Sequence, residues 1–236
     1  MAKKLLAIIP CFNEEAAIAS LLTELSNLEL PDEFQLNIAV INDCSTDNTL
    51  AIATQFKTII LDLPVNLGIG GAVQTGYKYA YEHEYDLAVQ IDGDGQHPPA
   101  ELIKLLHHYE QTKANVIIGS RFIRKEGFQS SVLRRSGIAY FHWLHQLLTG
   151  KRIFDITSGF RLFDKKAISI AASNYPDEYP EPESLVIFAK EGLSIAEVPV
   201  MMKERQGGQS SIRSFGSIYY MIKVSIAMFF SYIRKY

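Results

Sequence analysis

Two carboxylates one residue apart, placed at the end of an apolar run, are the side chains in this 236-residue chain best suited to chemistry. They are Asp92 and Asp94, in Val89–Pro99 (VQIDGDGQHPP). With glycines between and after them, both carboxylates can converge on one hard cation. Mg²⁺ and Mn²⁺ prefer such oxygen ligands and tolerate phosphate oxygens in the same shell. Gln96 and His97 lie near enough in sequence to join or brace that shell. A diphosphate leaving group needs such help, because negative charge grows on it as its bond breaks. A polar turn would use the same residue types. What favours a site is position: a strand-like run feeds directly into the pair, and open parallel sheets bind ligands beyond the carboxyl ends of their strands.

A second acidic strand end lies upstream in Val40–Asn48 (VINDCSTDN). Asp43 there can accept a hydrogen bond from a base N–H or a ribose hydroxyl, while Ser45, Thr46 and Asp47 can cap the following helix. Asn66–Gly76 (NLGIGGAVQTG) brings three glycines within four positions at the opening of a helix, where backbone and helix N-terminus favour a phosphate. It has neither a Walker lysine nor a strict GxGxxG. Dinucleotide binding is disfavoured because this loop follows the third strand, whereas the first strand ends in Pro10.

The elements that must position these residues alternate through the first half. Strand-like Leu5–Ile9, Leu36–Ile41, Thr58–Leu61, Leu87–Ile91 and Asn115–Ile118 are interleaved with helix-like Ala16–Leu28, Thr49–Phe56, Ile69–Glu82 and Pro99–Glu110. Short strands alternating with helices predict an α/β fold with a mostly parallel sheet covered on both faces. The second half is less regular. Ser136–Thr149 reads as an apolar helix containing Trp143, Tyr175–Glu183 with its three prolines as a loop or extended segment, and Ser194–Met202 as a strand. Glu204–Ser214 reads as a polar loop, and Phe215–Ile233 is apolar and aromatic with Lys223 inside it. At nineteen residues that stretch is short for a span, and a central lysine costs roughly 2.5–3.5 kcal/mol there, so a helix lying in the interface or packed on the core is expected.

Taken together, Ile8–Glu15 (IIPCFNEE), Val40–Asp47, the glycine segment, IDGDGQHPP and Asp155–Arg161 (DITSGFR) resemble the family 2 glycosyltransferases of GT-A fold in order and spacing. Within that family the chain is most similar to the dolichyl- or polyprenyl-phosphate sugar synthases, over residues 5–212. The resemblance implies a GT-A (Rossmann-like) domain at 1–212 and an amphipathic or membrane-associated helix at 213–236. It implies inverting transfer from a UDP- or GDP-sugar to a polyprenyl phosphate, with Mg²⁺ or Mn²⁺ as cofactor. Pro10, Phe12, Glu14, Asp43, Asp92 and Gly93 would surround the donor nucleotide, and Asp92, Asp94 and Gln96 would hold the metal. Arg205 would engage the diphosphate, and Arg121 and Arg134 would meet the acceptor phosphate. Asp155, on the acceptor side, would act with Asp94 and Arg205 in catalysis, taking a proton from an acceptor hydroxyl or orienting the donor sugar. A phosphate acceptor is already an anion and needs no base. Ser211 departs from the pattern, standing where those synthases often carry a lysine. Glu183 is a rival carboxylate to Asp155, and Glu181 reads as an exposed loop residue.

Composition fits this picture without adding to it. A net charge of −3 gives no reason to expect nucleic acid. Cys11 and Cys44 read as free thiols of a reducing compartment. Arg121, Arg124, Lys125, Arg134 and Arg135 precede the Trp-containing helix, and Lys151 and Arg152 follow it, as an interface-bound segment requires. The expected partners are therefore a nucleotide-sugar, a lipid phosphate and the cytoplasmic membrane surface, with a small membrane protein or a second copy as a further partner. Transfer to a saccharide hydroxyl is the alternative activity, and donor binding without turnover the alternative outside catalysis.

Overall fold

The computed structural model describes residues 2–123, 132–203 and 216–234, the side chains at 132–136, 138 and 216–218 excepted. Seven strands form one sheet: β1 (Lys3–Cys11), β2 (Phe34–Asn42), β3 (Ile59–Asp62), β4 (Leu87–Gln90), β5 (Val116–Ser120), β6 (Arg161–Asp164) and β7 (Ile195–Pro199). Their spatial order is β3-β2-β1-β4-β6-β5-β7. All pairings are parallel except the two made by β6, so six strands run one way and β6 alone runs back. The chain winds outward from β1 to β3 and then crosses to β4 on the other side of β1. The crevice between the ends of β1 and β4 is thus the topological switch point, where such sheets bind ligands.

Eight helices flank the sheet among the described residues: α1 (Ile18–Ser26), α2 (Thr49–Ala53), α3 (Gly68–Glu82), α4 (Leu102–Thr112), α5 (Val132–Thr149), α6 (Lys165–Asn174), α7 (Pro180–Lys190) and α8 (Gly216–Ile233). Residues alternate sides along β1. Leu5, Ala7 and Ile9 pack toward α1 and α4, whereas Leu6 and Ile8 pack toward α3 and α5–α8. In α1 the residues Ile18, Leu21, Leu22 and Leu25 supply the buried stripe at helical spacing. Replacing Leu22 by alanine would cost about 2–5 kcal/mol.

The expected alternation in the first half is present, with element ends shifted by a few residues. The second half corrects the sequence in two places. Tyr175–Glu183 is not extended throughout, because α7 starts at Pro180. Prolines fit a first turn, where the missing N–H has no intrahelical partner to lose. β6 and α6 emerge from a stretch with no strong periodicity; β6 is four residues long, and Asp164 caps α6 by accepting from Ala167 N–H at 2.9 Å. No described helix is long and apolar enough to cross a membrane. α8 buries Val224 and Met228 fully, against the cluster that includes α7 and α5, and leaves Tyr219, Ile222, Ile226, Phe229, Phe230 and Ile233 exposed.

Candidate active site

The residues expected on the donor side lie at or just beyond the ends of β1, β2 and β4. Pro10 lies buried within β1. Ile8 bonds toward β4, accepting from Ile91 N–H at 3.0 Å, so two residues on the absent N–H of Pro10 points past the end of that pairing. Gly93 fills this gap. A Cβ on it would sit 2.8 Å from Cys11 Sγ and 3.0 Å from the Pro10 carbonyl oxygen, so only glycine lets the Asp92–Asp94 turn close on β1.

The loops after β1 and β2 are stitched to each other. Asn13, in the left-handed conformation at φ 57°, donates its N–H to Ser45 Oγ at 3.0 Å and accepts from Thr46 N–H at 2.8 Å. Glu14 N–H donates to Thr49 Oγ1 at 2.8 Å, and the Glu15 carboxylate accepts from Asn48 N–H at 3.0 Å. Asp47 accepts from the Glu15 and Thr49 N–H groups. Its burial would raise its pKa, but these hydrogen bonds outweigh that and hold the carboxyl below its ordinary value. Phe12 stands half exposed beside this rigid pair of loops, while Glu14 is buried.

Asp43 is 3% exposed and its carboxylate caps α3, accepting from Leu67 N–H at 2.6 Å and Gly68 N–H at 2.9 Å. The helix N-terminus that the glycine segment was expected to offer to phosphate is therefore engaged by Asp43. The glycines serve packing: Gly70 lies against the Pro176–Asp177 backbone and Gly76 against Ile8. Each Asp43 oxygen still has a second lone pair for a ligand.

Asp94 is buried, with Oδ1 accepting from Gln96 N–H at 3.0 Å. Asp92 is more open and accepts from Gln90 Nε2 at 3.0 Å. His97 stacks on Phe160 and accepts the Asp92 N–H at 3.1 Å. Lys203 N–H donates to the Gln96 carbonyl at 3.0 Å, which brings the chain beyond β7 to this turn. Arg205 follows two residues later, outside the described residues, as do Ser211, Arg124 and Lys125. Arg134 lies on α5 with its side chain outside them.

On the other flank Asp155 is fully buried and held by Arg121 in a two-point pair. Arg121 Nε donates to Oδ2 at 2.8 Å and Nη2 to Oδ1 at 2.7 Å, and the Arg121 backbone N–H adds a third bond at 3.0 Å. Burial works against the guanidinium's charge, but these bonds prevail and its pKa lies above the ordinary value. Glu197 of β7 fixes the backbone beneath, accepting from Phe154 N–H at 2.7 Å and Asp155 N–H at 2.9 Å.

Two residues were missed or misjudged in the sequence. Arg161 is fully buried at the start of β6 and donates to Ser158 O, Ile156 O and Ser184 Oγ at 2.6, 3.0 and 3.0 Å. Glu181 is partly buried in the first turn of α7 and is not an exposed loop residue. Burial raises its pKa, opposed by Arg161 and then reinforced by Asp92, with Arg121 also within electrostatic reach. Its signal was the phase of α7: Glu181 lies one turn before Ser184, the partner of Arg161.

Carboxylates gathered at the switch point of a doubly wound sheet define an α/β protein with a polar ligand site beside β1 and β4. The model of the family described as Glycosyl transferase family 2 matches residues 6–170, and the chain belongs to that family. It is 32% identical over 221 residues to the UDP-N-acetylglucosamine–dolichyl-phosphate N-acetylglucosaminyltransferase of Methanococcus voltae, covering 85% of this chain and 86% of that one. The undecaprenyl-phosphate mannosyltransferase of Micrococcus luteus is 28% identical over 218 residues, covering 89% and 87%. A crystal structure of glucosyl-3-phosphoglycerate synthase from Mycobacterium tuberculosis, in complex with Mn²⁺, UDP and glucosyl-3-phosphoglycerate, superposes with a TM-score of 0.69. That match, at 19% identity, covers 98% of this chain and 80% of the other, and establishes the GT-A-like fold.

Proposed function

We propose that this glycosyltransferase moves a sugar, with inversion, from a UDP- or GDP-sugar to a polyprenyl phosphate at the cytoplasmic membrane surface. The observation that carries the choice of acceptor is the state of Asp155. A carboxylate with no exposure and three hydrogen bonds from Arg121 is poorly placed to collect a proton from a hydroxyl. A phosphate acceptor needs no base. It needs an oriented cation, and Asp155 orients the Arg121 guanidinium at the end of β5. In this reading Asp155 acts through Arg121 as a positioning residue, and Arg134 adds a second charge. Relatives that act on dolichyl and undecaprenyl phosphate support it.

On the donor side Pro10, Phe12, Glu14, Asp43 and Gly93 line the nucleotide, Phe12 offering a ring for base stacking. Asp92, Asp94 and Gln96 form a hard oxygen set that fits Mg²⁺ or Mn²⁺. Two carboxylates and an amide leave the rest of such a shell to water and diphosphate oxygens. When bound, the cation neutralises charge on the departing diphosphate. Arg205 would close over the same group from the segment that Lys203 anchors. We read residues 1–212 as the catalytic domain and 213–236 as an extension whose exposed aromatic face on α8 rests on the membrane.

A saccharide hydroxyl as acceptor is the second reading, favoured by one observation: Glu181 is a carboxyl with raised proton affinity near Asp92 and Arg121. The test is nucleoside diphosphate release across a donor panel with Mg²⁺ or Mn²⁺, with and without polyprenyl phosphate. Metal-dependent release stimulated by the lipid is expected. No release from any donor would sink the proposal, and release stimulated only by sugars would move it to the second reading.

A further inference from the structure

Gln90 is a polar side chain where an apolar one would be expected. It ends β4, a central strand buried at every position, and is itself 1% exposed. Together with Ala88 it points to the sheet face that carries Tyr77, Tyr175, Phe163 and Phe188. A buried amide costs free energy unless both its ends are bonded. Both ends are engaged: Nε2 donates to Asp92 Oδ1 at 3.0 Å, and Oε1 accepts from the Tyr175 hydroxyl at 3.5 Å. The Asp92 carboxylate only accepts, so the amide NH₂ faces it, and the carbonyl end is left to receive the Tyr175 hydroxyl.

The surroundings crowd the Gln90 amide. Gly159, in the DITSGFR segment, comes so close that a Cβ there would lie 2.8 Å from Gln90 Nε2 and 3.4 Å from both Asp92 oxygens. Arg161 stands directly across the ladder from Gln90 and ties the same place to Ser184 of α7. On the opposite side of Asp92, His97 accepts the Asp92 N–H at Nδ1, which puts the proton of its neutral ring on Nε2. That atom lies 3.8 Å from Asp92 Oδ2. Asp92 is thus held at Oδ1 by a donor reaching up from the core, with His97 near Oδ2 and the side chain still 31% exposed.

We propose that Gln90 is a positioning residue for Asp92, and that Tyr175, holding the far end of the Gln90 amide, steadies the Asp92 carboxylate for a divalent cation. This rests on the reading of Asp92 as a metal carboxylate. The buried Tyr175–Gln90–Asp92 column also joins the segment between α6 and α7 to the Asp92–Asp94 turn.

Three full-length variants test it: Gln90→Met, which keeps the volume; Gln90→Glu, which sets a carboxyl against Asp92; and Tyr175→Phe, which keeps the ring. Mn²⁺ binding in the presence of UDP or GDP, followed by electron paramagnetic resonance of the free ion, is the direct readout. Both Gln90 variants should weaken Mn²⁺ binding about 10–100-fold, the range for outer-shell partners of metal ligands. Tyr175→Phe should weaken it about 2–5-fold, the worth of one neutral hydrogen bond. At saturating Mn²⁺, kcat should return to near the wild-type value, which a merely structural defect would not allow. Unchanged Mn²⁺ affinity in folded Gln90→Met and Tyr175→Phe overturns the proposal while leaving the metal site in place. Should the Gln90 variants not fold, Tyr175→Phe decides. Wild-type protein that binds no Mn²⁺ with either nucleotide overturns both this inference and the reading of the site.

Discussion

The two flanks of the switch point are held by different means. On the β1–β2 side the loops are cross-linked by several backbone-to-side-chain hydrogen bonds among Asn13, Glu14, Glu15, Ser45, Thr46, Asn48 and Thr49, most of them at exposed positions. On the β5–β6 side one buried ion pair, Arg121–Asp155, carries the geometry, braced by Glu197 from a third strand. Many weak bonds make a site that tolerates the loss of any one. A single desolvated pair does not, because the partner left behind is an uncompensated buried charge. The β1–β2 flank thus rests on many bonds, and the β5–β6 flank chiefly on one ion pair.

The largest effect should come from the turn that both flanks share. Asp94→Ala removes a buried carboxylate that we propose serves the diphosphate through a metal, and is expected to lower kcat/KM roughly 10³-fold, about 4 kcal/mol in barrier. Steady-state release of nucleoside diphosphate measures it, and activity within tenfold of wild type would remove Asp94 from the metal site.

Next comes the ion pair. Asp155→Asn should destabilise the fold by about 3 kcal/mol, since Arg121 keeps its charge and loses its counter-ion. Denaturant unfolding checks this. In the same variant the lipid-phosphate reading expects a raised KM for the acceptor with kcat largely kept, whereas a base at Asp155 would show as a collapse of kcat alone. The result therefore separates the two roles that the sequence left open.

The outer helices extend the comparison to the membrane. Replacing Phe229 and Phe230 on α8 by serine removes two half-exposed rings and should weaken flotation with anionic vesicles about 10–100-fold. Turnover on a short, water-soluble prenyl phosphate should be unaffected. Wild-type flotation would return α8 to a helix that serves the core alone, and no flotation by the purified wild-type chain would point to the need for a small membrane partner or a second copy. On the donor flank, Asp43→Ala should cost about 1–2 kcal/mol in stability by uncapping α3. It should also weaken nucleotide binding if the second lone pairs of Asp43 meet the donor, a point that calorimetry with UDP and GDP tests.

The same contrast explains what was legible in the sequence. The donor flank consists of strands ending directly in chemistry-bearing residues, so period and turn residues placed β1, β2, β4 and the Asp92–Asp94 turn. Both flanks are held by contacts more than thirty positions apart, but on the β5–β6 flank the chemistry-bearing side chains are themselves the partners. Arg121 and Asp155 are 34 positions apart, and Asp155 rests on Glu197, 42 positions further on. No local pattern records such pairing, so Asp155 read as a base or a donor-orienting carboxylate, without its partner Arg121. Prolines at 180 and 182 suggested a loop, because a first-turn proline looks the same as a helix breaker until the helix behind it is known. Gln90 read as one polar residue in an apolar strand, and only the packing of Gly159 and Tyr175 against it shows what it holds.

The smallest expected effect lies where α7 meets α8, at the edge of the acceptor flank. Glu183 accepts from Ser231 Oγ at 2.7 Å, but burial dominates and raises its carboxyl pKa, with Asp177 and Glu178 adding to the shift. The folded state therefore binds this proton more tightly than the unfolded chain, whose glutamate titrates near ~4.3. By linkage the stability this group contributes is fully present below that value and is lost as pH rises through the higher folded pKa. Glu183→Gln keeps an oxygen for Ser231 and removes the buried charge. Its unfolding midpoint should match wild type at pH 4 and exceed it modestly at pH 7 and above. A lower midpoint at pH 7 would mean that the charge itself, rather than the hydrogen bond, joins the two helices.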